Sequence, residues 1–346
     1  MVEQLKVTLL GAAPTADVTD PEAYALFLQA RQLGRQDTAE GYERSNALYE
    51  HALEIESEYA AAWVGLAFNY MSQAGFLGVL TFDDGYTLAR EAVNRALAIN
   101  PEYALAYAAL SRIASSYDND LAAAARHVER ALELDPTNPD ILGRAARLAS
   151  SLGRLDEAIA LNEYVVAHDP VSAGAHSDRG YSYWAAGRLD ESIASYGTTL
   201  SLSPGSSWTH YAIGTALLLK GEPEEALQTM QQETSVEWRL IGLAMAYHAL
   251  GRVAESDAAL AQLIDRYEQS WSYNIAYVLA FRGEAERAFE WLDKAVQYKD
   301  PGLTDVSTDP LLANISDDPR WLPFLESIGK SPEQLAAIEF EVTLPE

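Results

Sequence analysis

Apolar and small residues fall at helical spacing in short runs, and glycine or proline interrupts the runs at regular intervals. In residues 173–206, AGAHSDRGYSYWAAGRLDESIASYGTTLSLSPGS, a first helical segment carries Gly180 and Tyr183 and stops at Gly187. LDESIASYGTTLSL predicts a second helix, closed by Pro204, which cannot continue one. Two antiparallel helices of this length each expose an apolar stripe that only a neighbouring pair can cover. The pattern therefore predicts stacked pairs, and the chain writes the pair repeatedly. GRLDEAIA from Gly153 returns as GRLDESIA from Gly187, 34 residues later. Weaker forms follow as GEPEEALQ from Gly221, GRVAESDA from Gly251 and GEAERAFE from Gly283.

Small residues recur where two backbones must approach closely. Gly180 and Ser192 hold these places in one unit, and Ala146 and Ala158 hold them in the unit before, which Pro170 closes. Gly214 and Ala226, Ala244 and Ser256, and Ala276 and Ala288 continue the frame. Upstream, Trp63, Leu66, Ala67 and Tyr70, with Ala96 and Pro101, fit the same spacing. So do Tyr107, Leu110, Ser111 and Ala114, with Ala131 and Pro136. A poorer unit covers about 26–59, with Ala52 in place and Ser57 where proline would stand. This frame resembles the tetratricopeptide repeat, a helix–turn–helix unit of about 34 residues. The resemblance covers about residues 26–302, eight units. It implies an all-α, right-handed superhelical solenoid with a C-terminal capping helix. The chain then divides into an N-terminal helix and linker (1–25), the array (26–302), and a C-terminal cap and tail (303–346).

Two units depart from the period. The unit starting near Ala60 carries an insertion, QAGFLGVLTF, in which Phe76, Leu77, Val79, Leu80 and Phe82 are too apolar for a solvated loop. It either extends the helix and packs on a neighbour or forms a flap or subunit contact. Gly221 to Gly251 is short, with Thr234 and Glu237 reading as a capping box for the next helix. At the start, Val2, Leu5 and Leu9 share a helical face with no capping residue before them, as in a piece of a longer protein. At the end, DDPRWLPFLESIG offers Asp318 as N-cap, Pro319 at the first helical position and Gly329 as stop. Trp321, Leu322, Leu325 and Ile328 are expected to cover the last repeat. VEQLKVTLLGAAP, DPEAYALFLQAR and DPLLANISDDPRWLPFLESIG also resemble the C-terminal part of certain bacterial signalling proteins. In those, a cyclase or winged-helix effector precedes a membrane segment, a TolB-like domain and a tetratricopeptide array. That resemblance implies a sensory or docking module, periplasmic if the parent is membrane-anchored.

Composition narrows the chemistry. The net charge is −27, with acids spread along the chain, which disfavours nucleic acid and anionic lipid. No apolar run reaches the ~20 residues of a membrane span. Cysteine is absent, which removes thiol catalysis and thiolate metal sites. The histidines, among them His176 and His210 at equivalent places in adjacent units, form no metal-binding motif, and no phosphate loop or nucleophile elbow occurs. No cofactor and no enzymatic activity are expected.

In the repeat family the first helix of each unit lines a concave groove. The corresponding positions here are Phe68, Arg112, Arg144, Arg147, Tyr181, Trp184, Trp208, Tyr211, Trp238, His248, Tyr273 and Tyr277. Aromatics at helical spacing also make cores, but Trp, Tyr and Arg are the types enriched in binding hot spots. The family's lysine–asparagine carboxylate clamp is unmatched, since Gly143 and Arg147 stand there. If Arg144 and Arg147 are exposed, they make a cationic site for an acidic group. Arg147→Ala with Trp184→Ala is then expected to abolish binding and spare stability; in the structural reading each arginine pairs with an acid such as Asp140 or Asp178. The main expectation is a protein- or peptide-binding scaffold. A small-molecule sensor with an aromatic groove and a structural module that forms a homodimer are the other two readings.

Overall fold

The computed structural model describes residues 20–36, 38–74 and 79–345, so the segment with Val2, Leu5 and Leu9, and Phe76 and Leu77 of the insertion, lie outside the described residues. Eight helix pairs follow one another among the described residues. They are α1 (Pro21–Gly34) with α2 (Ala39–Ile55), α3 (Ala60–Ala74) with α4 (Phe82–Ile99), and α5 (Ala104–Ser116) with α6 (Leu121–Leu134). Next come α7 (Pro139–Ser151) with α8 (Leu155–His168), α9 (Ala173–Ala185) with α10 (Leu189–Leu202), and α11 (Thr209–Lys220) with α12 (Pro223–Met230). Then α13 (Val236–Ala249) pairs with α14 (Val253–Tyr267) and α15 (Ser272–Phe281) with α16 (Ala285–Gln297). Two 3-10 turns, Pro301–Asp305 and Pro310–Ile315, and the short helices α17 (Trp321–Ser327) and α18 (Pro332–Ala336) complete the chain. The architecture is the expected all-α solenoid of helix pairs. Its first pair begins at Pro21, inside the stretch read as a linker.

The recurring phrase has a local cause. Gly153, Gly187, Gly221, Gly251 and Gly283 all adopt positive φ between 70° and 81°, the left-handed backbone that a side chain disfavours. Each lets the next amide turn back onto the first helix: Arg154 N donates to Ala149 O, and Arg188 N to Tyr183 O. The second helix then starts without a side-chain cap, with acids in its first turn (Asp156 and Glu157, Asp190 and Glu191) meeting the helix dipole. Within a pair, the small positions set the approach. A Cβ at Gly180 would stand 2.9 Å from the Tyr196 ring. The Ser192 hydroxyl donates to Gly180 O at 2.9 Å, and Ser256 to Ala244 O at 2.6 Å, so helices touch through small side chains.

Two compact units partition the chain. The first holds α1–α4, α5 through Ala114, and residues 126–141; the second holds 115–125 and 142–344. In the first unit Phe27, Tyr49, Leu53, Ala61, Ala62 and Leu66 form a core flanked by Tyr24, Tyr59, Trp63 and Tyr103. Val79 is exposed and Leu80 and Phe82 are half-buried, with the Phe82 ring tilted against Tyr86 at 4.5 Å. In the second unit one core runs from Trp184 to Leu325 and takes in Leu303, Val306, Leu311, Leu312 and Ile315.

Three expectations about helix starts and coverage are corrected. The cap of α13 is Ser235, not Thr234: its hydroxyl accepts from Trp238 N and donates to Glu237. Asp318 does not cap α17, which starts at Trp321 after Arg320; its carboxylate instead holds Arg320 through backbone and guanidinium. Pro319 consequently lies outside the helix, while Gly329, at φ 75°, is the stop it was expected to be. Of the covering residues, Leu322 is 51 % exposed, and Phe324 joins Leu325 in the core.

Candidate functional site

Residues after α16 do not simply cap the last pair. Segment 300–315 lies along the first helices of the second unit, the face that lines the groove in the repeat family. Each of its 3-10 turns starts with Asp-Pro, and the aspartate accepts from the amide two residues on: Asp300 from Gly302 and Asp309 from Leu311. The remaining carboxylate oxygens reach α15. Asp300 Oδ2 accepts from the Ser272 hydroxyl at 3.0 Å and the Tyr273 amide at 2.9 Å. Asp309 Oδ2 accepts from the Tyr273 hydroxyl at 2.7 Å. One tyrosine is thus bracketed by two identical turns, main chain to one and side chain to the other.

Further along, Asp305 takes a 2.5 Å ion pair from Arg147 and a 2.6 Å hydrogen bond from the Ser151 hydroxyl, both on α7. The Tyr181 hydroxyl of α9 faces the same carboxylate. Thr304 donates to Ser115 O at 3.1 Å, and Asn314 to Ala280 O and Phe281 O. Leu303, Val306, Leu311, Leu312 and Ile315 are buried against the helices. Carbonyls of Ile338 and Phe340 accept from Arg154, which anchors the chain's end as well. Burial pushes the Asp309 carboxyl up to about 6, against the lowering pull of the Tyr273 hydroxyl and the Leu311 amide. It also pushes the Lys330 ammonium down to about 8, with Asp305 opposing. Lys330 is 1 % exposed, and its Nζ finds no hydrogen-bond partner.

Most of the expected groove residues fall into three groups. Arg147, Tyr181 and Tyr273 contact the segment, with the Arg147 guanidinium 4.0 Å above the Tyr181 ring. Tyr211 and Tyr277 share a 2.8 Å hydroxyl–hydroxyl bond, extended by Asn274, and are buried in the same core as Trp184. Trp208 and Trp238 belong to a half-buried aromatic cluster. Trp238 lies 4.8 Å from Tyr211 and edge-on to Trp271 at 4.6 Å, while Trp208 meets Tyr196 edge-on at 5.6 Å. His248, beside Phe281, falls with none of these; burial and the nearby Arg282 lower its pKa. Phe68 on α3 and Arg112 on α5 are half-buried positions of the first unit.

The exposed cationic site expected of Arg144 and Arg147 is therefore corrected. Arg147 pairs with Asp305, 158 residues on, rather than with Asp140 or Asp178, and Arg144 is half-buried with partners of its own. Trp184 is 8 % exposed, so Arg147→Ala with Trp184→Ala removes packing and an ion pair together and cannot spare stability. The sequence carried a signal for the missed segment. Asp-Pro recurs at 300, 309 and 318, nine residues apart, with an apolar residue three and six places after each aspartate. Those residues are Leu303 and Val306, Leu312 and Ile315, and Trp321 and Phe324; all but the half-buried Trp321 are buried.

This fold defines a repeat-built α-solenoid whose second unit packs its own 3-10 segment 300–315 against the first helices. Residues 116–177 match one family model described as tetratricopeptide repeat, and residues 177–234 and 241–303 match another of the same description. The matches cover more than half of the chain, which belongs to the tetratricopeptide-repeat proteins. Among solved structures it is similar to the human IFIT1 dimer with PPP-AAAA, at 15 % identity and TM-score 0.54, over 78 % of this chain and 69 % of that one. It is also similar to a monomeric IFIT1 mutant with Gppp-AAAA, at 14 % identity and TM-score 0.55, over 86 % of this chain and 75 % of that one. At such identity the likeness is one of fold. No curated protein matches the sequence.

Proposed function

We propose that this protein is a non-catalytic scaffold that binds a protein or peptide, and that it serves as the docking or sensory module of a larger bacterial signalling protein. The observation that carries the scaffold reading is the 3-10 segment 300–315, held by side chains from α7, α9 and α15. A face that binds polypeptide in cis has the chemistry to bind it in trans. Arg147, Tyr181 and Tyr273 supply the polar contacts, and Trp208, Tyr211, Trp238 and Tyr277 the aromatic surroundings. Phe68 and Arg112 are the proposed contacts on the first unit.

The small-molecule reading has less support, because the aromatic rings pack on one another at 4.6–6.3 Å and fill the volume a ligand would need. The named IFIT1 structures carry RNA, but a chain of net charge −27 repels phosphate. Nucleic acid is not the proposed partner. No helix among the described residues is long and apolar enough to cross a membrane. The test is native mass spectrometry of the protein isolated from its host, joined with cross-linking from Phe68 and Trp208 positions. A polypeptide partner is expected; a bound small molecule with no polypeptide would sink the reading.

A further inference from the structure

We propose that the inner face of the second unit recognises Asp-Pro-x-Leu turns, and that segment 300–315 is a cis occupant displaced by a partner polypeptide carrying two such turns nine residues apart. The proposal rests on the peptide-binding reading and gives it a specificity. Both cis turns have this form, Asp300-Pro301-Gly302-Leu303 and Asp309-Pro310-Leu311-Leu312, and both address Tyr273. Each turn offers a carboxylate already shaped by its own cap, so recognition needs one carboxylate contact and one leucine seat. Leu303 and Leu312 fill those seats at 6 % and 1 % exposure. The fit at the first turn is tight: a Cβ at Gly302 would stand 2.3 Å from the Tyr273 ring. A partner therefore needs a glycine, or a shift of its backbone, at that place.

The occupant is bound as a ligand is bound. Its hydrogen bonds come from side chains and helix ends of α5, α7 and α15, not from continued helix pairing. No disulfide fastens it to the helices, since the chain has no cysteine. The closed arrangement also holds unfavourable features. Lys299, the residue that joins α16 to the segment, sits at φ 55°, a left-handed backbone that a Cβ disfavours. Lys330 Nζ, which feels the Asp305 charge of the segment, is buried without a hydrogen-bond partner. Opening relieves these, and a partner with the same turns restores the carboxylate and leucine contacts.

The experiment uses the full chain and a fluorescent synthetic peptide of residues 299–316. Gly302→Val drives the cis segment off Tyr273 while leaving the accepting face unaltered. The wild-type chain is expected to bind the peptide at least tenfold more weakly than the Gly302→Val chain, because its own segment competes. Adding Tyr273→Phe to Gly302→Val should reduce that binding by removing the hydroxyl donor. A Gly302→Val chain of unchanged helix content that binds no better than wild type overturns the proposal. Should that variant unfold, hydrogen exchange on the wild type decides. Amides of 300–315 exchanging by local opening, well before α15, support the proposal, and exchange only with global unfolding refutes it. A wild-type dimer dissolved by the peptide would assign the occupant to a second copy and refute the partner. If a polypeptide binds the protein but is not competed by the peptide, this specificity fails and the scaffold reading stands.

Discussion

At Lys330 an ammonium is 1 % exposed with no hydrogen-bond partner, and burial lowers its pKa to about 8. Its unfolded value lies near ~10.4, so the charge penalty is complete below pH 8 and vanishes as pH rises toward that value. Lys330→Met is expected to raise stability by about 1–2 kcal/mol at pH 7, unusual for a buried substitution, and to lose the advantage by pH 10. Thermal melts at the two pH values check this, and a lower midpoint at pH 7 would show the ammonium to be paired. Gly187 behaves oppositely. At φ 73° it has open space around the place of a Cβ, so Gly187→Ala should cost only the left-handed backbone term, about 1 kcal/mol. Denaturant titration reads that loss; a neutral result would mean that the turn re-forms another way.

The 3-10 segment is the element whose role the helix pattern concealed. Its position depends on charges removed from water, and this gives it a pH dependence. Burial raises the folded pKa of Asp309 to about 6, well above the usual aspartate range. The cost of ionising it is thus present above pH 6 and relieved as pH falls through that value. Asp309→Asn removes the charge, keeps an acceptor oxygen for the Leu311 amide and places an NH2 group that can donate to the Tyr273 hydroxyl oxygen. It should melt higher than wild type at pH 7.5, by about 2 °C, and no higher near pH 4. A variant less stable at pH 7.5 would mean that the carboxylate's hydrogen bonds outweigh its desolvation.

Across the whole molecule, charge sets what the surface meets at a distance. With a net charge of −27, no duplex-DNA binding is expected at physiological salt in a fluorescence anisotropy titration. Micromolar affinity with a steep salt slope would contradict that and return the IFIT1 likeness to the question of function. Repeat architecture sets how the molecule unfolds. Within the first unit α1 packs on α2, α2 on α3 and α3 on α4, so that unit should lose structure in graded steps. The second should resist longer, because one continuous buried core runs from Trp184 to Leu325. Hydrogen exchange by segment separates the two behaviours.

The amino-acid sequence alone determined the pairs, because what makes a pair is local. A glycine at positive φ, small residues at contact positions and an apolar stripe every turn or so all act within one unit of ~34 residues. That reach is short enough for periodicity to expose it. It determined the net charge as well. Only the tertiary structure decided what those residues touch. Arg147 meets Asp305 across 158 positions of sequence, and Thr304 meets Ser115 across 189. No spacing rule links such pairs; they meet because stacked helices bring α5, α7 and α15 within reach of one segment. The same physics turned Tyr273 and Tyr277 from groove residues into buried ones. A tyrosine at helical spacing reads alike whether water, a partner or another part of the chain covers it, and at Tyr273 it is segment 300–315 that does.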